Sequence, residues 1–174
     1  MMSDQKHSAA TFDWALVFYW MTSTTAGWLF GWLLWPAIAR VTAGLLAGAV
    51  QSVVLVHRVP RAWRWILATA IGWPAGVAIA LALAGTGVFA GLVIGAATGT
   101  AQWALLRREV EWAGWWIAIS ALAWAIGLSL APSGDAVLLP RVVLSGTLSS
   151  MMTGIALELL LRNRKPPAAP ASEE

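Results

Sequence analysis

The stretch WILATAIGWPAGVAIALALAGTGVFAGLVIGAATGTAQWALL, Trp65 to Leu106, runs for 42 residues without one Asp, Glu, Lys or Arg. A membrane-crossing helix needs roughly 20 consecutive apolar residues. This interval is therefore long enough for two, joined by a very tight turn at "AGTG", Ala84 to Gly87. Working outward, the same criterion predicts six spans at about 13–35, 36–57, 62–84, 87–107, 112–131 and 137–161. The chain is 59% apolar and 11% charged, with a mean hydropathy of +0.72, too little charge to cover a water-soluble surface of 174 residues. The long unbroken runs exclude a β-barrel, whose strands would alternate every other residue. The expected fold class is all-α: a polytopic membrane bundle of six transmembrane helices.

Basic residues set the expected orientation. Lys6, Arg58, Arg61, Arg64, Arg107, Arg108, Arg162, Arg164 and Lys165 fall on the side that carries both termini, and only Arg40 and Arg141 fall on the other. By the positive-inside rule both termini are then cytoplasmic, and the compartment expected is a bacterial inner membrane. The polar head MMSDQKHSAATFD leads directly into a span too long for a cleavable signal peptide. Residues 1–12 read as a polar cytoplasmic start, 13–162 as the transmembrane domain and 163–174, ending in KPPAAPASEE, as a disordered cytoplasmic tail. The pI near 10 is a topology signal; no soluble basic face is present to bind nucleic acid. Cysteine is absent, so disulfides and thiolate metal sites are excluded.

Internal self-similarity refines the architecture. Aligning Gly48 with Gly99 and Gly154 superposes three even-numbered helices, with small residues at Gly44/Gly48, Gly91/Gly95/Gly99 and Gly146/Ser150/Gly154. The odd-numbered helices repeat Gly27-Trp28 with Gly31, Gly72-Trp73 with Gly76, and Ala123-Trp124 with Gly127. The unit is a helical hairpin of about 50 residues present three times, at about 13–57, 62–107 and 112–162. Repeats of two spans keep one orientation in the membrane, which predicts a pseudo-threefold arrangement about the membrane normal. Gly44, Gly48, Gly95, Gly99, Ser150 and Gly154 then serve helix packing, because small residues four apart let backbones approach closely. Glycines, glutamine and Leu55 or Leu106 at offsets of 4, 7 and 11 share one face of each even helix, which should point inward.

Few residues could carry chemistry. Gln51 and Gln102 occupy equivalent positions on the small-residue face, while the third copy carries Leu157. An amide there must find partners in another helix or in a ligand. Glu158, the one acid clearly within a span, precedes Arg162 by four, the favourable order for a local ion pair, and is otherwise available to a proton, ligand or partner subunit. His57 at the end of the second span could give one axial nitrogen to a tetrapyrrole metal. Trp14, Trp63, Trp65, Trp112, Trp115 and Trp116 at the starts of odd spans, with Trp32 and Trp35 at the outer end of the first, read as interfacial anchors. Trp28, Trp73 and Trp124 lie deeper. They either pack over glycines of a neighbouring helix or face lipid, carotenoid, quinone or tetrapyrrole. Pro74 beside Trp73 frees the Ala70 carbonyl and would kink the third helix. No nucleophile–base pair, carboxylate pair, metal cluster or phosphate loop is present, so no enzyme is expected.

The tandem GWxxG helix followed by a GxxxGxxQW…LR helix resembles a set of uncharacterised multi-pass bacterial membrane proteins with repeated Trp–Gly hairpins, over residues 13 to 162. That resemblance implies the architecture and brings no site residues. The functional expectation is a non-catalytic accessory or scaffold subunit that contacts the lipid bilayer and other membrane subunits. The alternatives are a small-molecule or lipid transporter with a path between the repeats, and a tetrapyrrole, carotenoid or quinone binding protein.

Overall fold

The computed structural model describes residues 11–34, 38–130 and 139–165. Among these its elements are all helices: α1 (Trp14–Leu34), α2 (Ala39–Leu55), α3 (Arg64–Ala82), α4 (Gly87–Leu106), α5 (Trp115–Leu130) and α6 (Leu139–Arg162). Each helix lies within a few residues of an expected span. Lys6, His7, Trp35, Pro132 and the tail from Pro166 lie outside the described residues. The helices α3, α4 and α6 are each long and apolar enough to cross a membrane, and α2 and α5 contain shorter apolar helices. Pro74 lies inside α3, which runs on through it.

Each helix packs against its sequence neighbours, and α1 also packs against α6, so the six close into a ring. Glycine makes the ring tight. A Cβ built on Gly27 would stand 2.7 Å from the Ala47 Cα, and one on Gly72 or Gly76 2.7 Å from the Cα of Thr98 or Ile94, so α1 meets α2, and α3 meets α4, at backbone contact. Gly91 and Gly95 meet the α5 backbone at Trp124 and Ser120, while Gly44 and Gly48 lie under Trp73 and Thr69 of α3. Gly99 faces Ser120 and Ile117, Gly146 faces Trp28, Gly154 faces Trp20, and the Ser150 hydroxyl donates to the Gly146 carbonyl at 2.6 Å.

The exterior is as apolar as the interior, unlike that of a water-soluble bundle. Phe18, Ile71, Ile79, Val88, Leu122 and Leu159 face outward, whereas Thr24, Gln51, Thr69, Gln102, Ser120 and Thr153 are buried. An apolar exterior around a partly polar core is what a bilayer solvent selects, since only the interior offers hydrogen-bond partners. Together with the span-length helices this marks a membrane protein.

The connections 56–63 and 107–114 and the residues after α6 gather at one end of the ring. Val110 bridges to Arg164, the Glu111 amide donates to the Asn163 carbonyl at 3.0 Å and the Lys165 amide to the Glu109 carbonyl at 3.0 Å. Asn163 to Lys165, the first residues of the expected tail, are thus tied to the α4–α5 connection. The opposite end carries the α3–α4 turn, where Ala84 adopts a left-handed φ of 50° and Gly87 one of 52°.

Candidate functional site

Six indoles fill the axis of the ring in two layers. Trp20, Trp65 and Trp116 meet one another with centroids 5.7 to 6.1 Å apart, and Trp28, Trp73 and Trp124 do so at 4.5 to 5.7 Å, mostly edge to face. Each odd helix supplies one ring to each layer, the second eight residues after the first. Trp65 and Trp116 are each 1% exposed, and Trp32 is 8% exposed, so these three are interior residues and not the interfacial anchors their positions suggested. The reason is helical phase: a residue at the start of an odd helix faces the axis or the lipid according to its angle about the helix, which distance from a charged loop does not report. Trp14, Trp63, Trp112 and Trp115 do face outward near the basic connections. Trp20 received no role from the sequence; its spacing of eight to Trp28, matched by Trp65/Trp73 and Trp116/Trp124, was the available signal.

Between the layers lies a polar belt. The Trp65 indole donates to Gln51 Oε1 at 2.9 Å while Gln51 Nε2 donates to Thr24 Oγ1 at 3.0 Å, so one amide ties α1, α2 and α3. The same triad recurs one hairpin on: Trp116 donates to Gln102 Oε1 at 2.9 Å, and Gln102 Nε2 to Thr69 Oγ1 at 2.9 Å, tying α3, α4 and α5. In the remaining sector Leu157 stands where the amide would be. The Trp20 indole turns instead to Thr153 Oγ1 at 3.0 Å, and Ser120 Oγ, the counterpart of Thr24 and Thr69, is buried without a hydrogen-bond partner. Ser120 and the likewise unpartnered Thr98 line a small chamber of about 20 Å³, whose walls include Trp20 and Trp116 of one layer and Trp73 and Trp124 of the other.

At the basic end, Asp13 caps α1 by accepting the Leu16 amide at 2.9 Å and pairs with the Arg58 guanidinium. The Leu16 amide first, and the Arg58 side chain second, hold the Asp13 carboxyl below the ordinary aspartate value. Glu158 is buried, and its Oε1 accepts the Asp13 amide at 3.0 Å, completing the cap of α1 from α6. The acid singled out in the sequence therefore closes the ring between its first and last helices. His57 is exposed, in a groove of about 520 Å³ on the outer surface between α1 and α2.

At the other end a cup of about 310 Å³ opens beside the α3–α4 turn. Its floor is made by Trp28, Trp32 and Trp73, its walls include Val77, Ile94 and Leu128, and Thr86 and Ser129 are among its polar lining residues. The Trp28 and Trp32 indole nitrogens are both buried without an acceptor. A buried donor left unpaired costs about 1–3 kcal/mol, and two such donors on residues that line one cavity make the cup the clearest candidate site. No charged side chain lines it among the described residues, and no group of three His, Asp or Glu side chains gathers anywhere among them. Comparison of the chain with protein-family models, with curated proteins and with solved structures gives no match.

Proposed function

We propose that the protein is a multi-pass inner-membrane protein whose six helices all span the bilayer as three hairpins in pseudo-threefold arrangement, with both termini cytoplasmic, and that it binds one small neutral carbonyl-bearing molecule of the quinone type in the tryptophan-floored cup. The observation that carries the reading is the pair of acceptor-less indole donors, Trp28 and Trp32, at an apolar cavity of about 310 Å³. Ligand sites of this kind are concave, mostly apolar and hold a few fixed polar groups.

The chemistry of the cup chooses among the pigment and cofactor classes. A hydrocarbon carotenoid offers no acceptor to an indole N–H. A metallated tetrapyrrole wants an axial nitrogen, and His57 sits on the outer surface at the opposite end of the ring. A quinone carbonyl satisfies a neutral donor without bringing charge into an uncharged site. A transport path along the axis would have to displace two layers of indoles. The accessory-subunit expectation draws on the apolar exterior, which lipid satisfies by itself, so the cup supplies the more specific argument.

The test is quenching of tryptophan emission by a short-chain benzoquinone added to the detergent-solubilised protein. Saturable quenching at one molecule per chain, weakened at least tenfold by Ala90→Phe, which fills the cup from α4, is the expected result. Linear, non-saturating quenching that is identical in the variant would refute the reading.

A further inference from the structure

A second, chemically opposite cavity lies at the basic end. Between the α2–α3 and α4–α5 connections a groove of about 360 Å³ is lined by four arginines, Arg61, Arg64, Arg107 and Arg108, against one carboxylate, Glu109. No carboxylate among the described residues stands within ion-pair distance of any of the four, whereas Arg58 a few residues away has Asp13. Two of the guanidiniums rest on indoles, Arg64 at 5.7 Å from the Trp63 centroid and Arg107 at 4.9 Å from that of Trp103, contacts that position a cation without neutralising it. The backbone of the groove is pinned as well: Arg61 holds a left-handed φ of 57°, and Lys165 Nζ donates to the Arg107 carbonyl at 2.7 Å.

We infer that this groove binds the phosphate headgroup of an anionic membrane lipid. Four unpaired guanidiniums around one cavity ask for an anion that offers several oxygens, and phosphate geometry matches the guanidinium fork. The lipid source follows from the surroundings. Leu105 lines the groove, and Leu67, exposed on α3 about one turn from Arg64, offers a path for an acyl chain below the headgroup. A soluble phosphate or a nucleic acid would have no use for that apolar margin. Basic pockets between helices at the cytoplasmic surface recognise anionic headgroups in this way. The inference rests on the membrane-embedded reading and is independent of the cup.

Native mass spectrometry of the full chain in detergent, titrated with phosphatidylglycerol and with phosphatidylcholine, provides the test. Phosphatidylglycerol should bind about tenfold more tightly, as expected if about 1.4 kcal/mol separates the two lipids. The preference should vanish in Arg61→Gln/Arg108→Gln and in Arg107→Gln/Arg108→Gln, and persist in Arg141→Gln, which alters an exposed arginine at the other end. Equal binding of the two lipids, or a preference unchanged in both double variants, would overturn the proposal. So would full displacement of the lipid by millimolar inorganic phosphate, which would assign the groove to a soluble anion. Failure of the membrane reading would look different: a chain monodisperse in water that binds neither lipid.

Discussion

Leu157 occupies the position in α6 that Gln51 occupies in α2 and Gln102 in α4, and it is fully buried. The two glutamines each accept from a tryptophan of the next hairpin and donate to a threonine of their own, so each amide fixes three helices. Interhelical hydrogen bonds of this kind in membrane proteins average only about 0.6 kcal/mol, with a ceiling near 1.7. Stranding a buried donor costs more, about 1–3 kcal/mol. Gln102→Leu, which strands the Trp116 indole and the Thr69 hydroxyl together, should therefore destabilise the protein by about 1–3 kcal/mol. The reverse change is the sharper case. By the pattern of the other two sectors, Leu157→Gln puts an amide of nearly the same volume where it would meet the unpartnered Ser120 hydroxyl, which lines a chamber large enough for about one water. It should raise stability by about 1 kcal/mol, a gain that disappears when Ser120→Ala is combined with it. Thermal unfolding of the two single variants and the double variant in one detergent measures the coupling. A loss of stability on Leu157→Gln, equal with and without Ser120, would show that the sector does not accept the amide.

At the scale of the helices, spacing is legible in the sequence and helical phase is not. Gly44, Gly48, Gly95, Gly99 and Gly154 recur at helical spacing, and each faces a neighbouring helix that a Cβ would crowd. Gln51 and Gln102 are legible as inward-facing amides, but their partners are not, because the positions of Trp65 and Trp116 at the starts of odd spans point to the lipid interface. The outcome turns on which side of an odd helix faces the axis, and helices hydrophobic all round carry no polar stripe to announce it. Trp20 was hidden for the same reason. The glycine contacts yield a clean comparison. Gly72→Ala would put a Cβ 2.7 Å from the Thr98 Cα, a backbone atom that cannot swing aside, whereas a Cβ at Gly114 meets nothing within 4 Å. Gly72→Ala should cost about 1–3 kcal/mol through overpacking between α3 and α4. Gly114→Ala should be neutral or stabilise by a few tenths of a kcal/mol, by restricting the unfolded chain. Equal melting temperatures for the two variants would mean that α3 and α4 are not in backbone contact.

Ring closure is the property of the whole molecule that no local pattern reveals. Glu158 reaches the Asp13 amide across 145 positions of sequence, and Trp20 reaches Thr153 across 133. An acid four residues before an arginine reads locally as a helix-surface pair, and its use as a cap for the first helix depends on where α6 lands. The hairpin repeat nevertheless implies that the first and last helices meet, because three units of one orientation can close only if the third returns to the first. It also puts the connections 56–63 and 107–114 and the residues after α6 at one end, where the structure places the α2–α3, α4–α5 and α6 ends together. The orientation of that end in a bilayer rests on its basic residues alone. A cysteine-free chain makes the test direct: Pro60→Cys and Gly114→Cys sit at the basic end, Thr86→Cys sits on the α3–α4 turn at the other, and all three positions are exposed, whereas Val110 is fully buried and would be silent on either side. In intact cells a membrane-impermeant maleimide should modify position 86 and leave 60 and 114 untouched until the membrane is opened. Labelling of 60 and 114 from outside, with 86 protected, would invert the molecule. The arginine groove would then face the outer leaflet, and the cup would open to the cytoplasm.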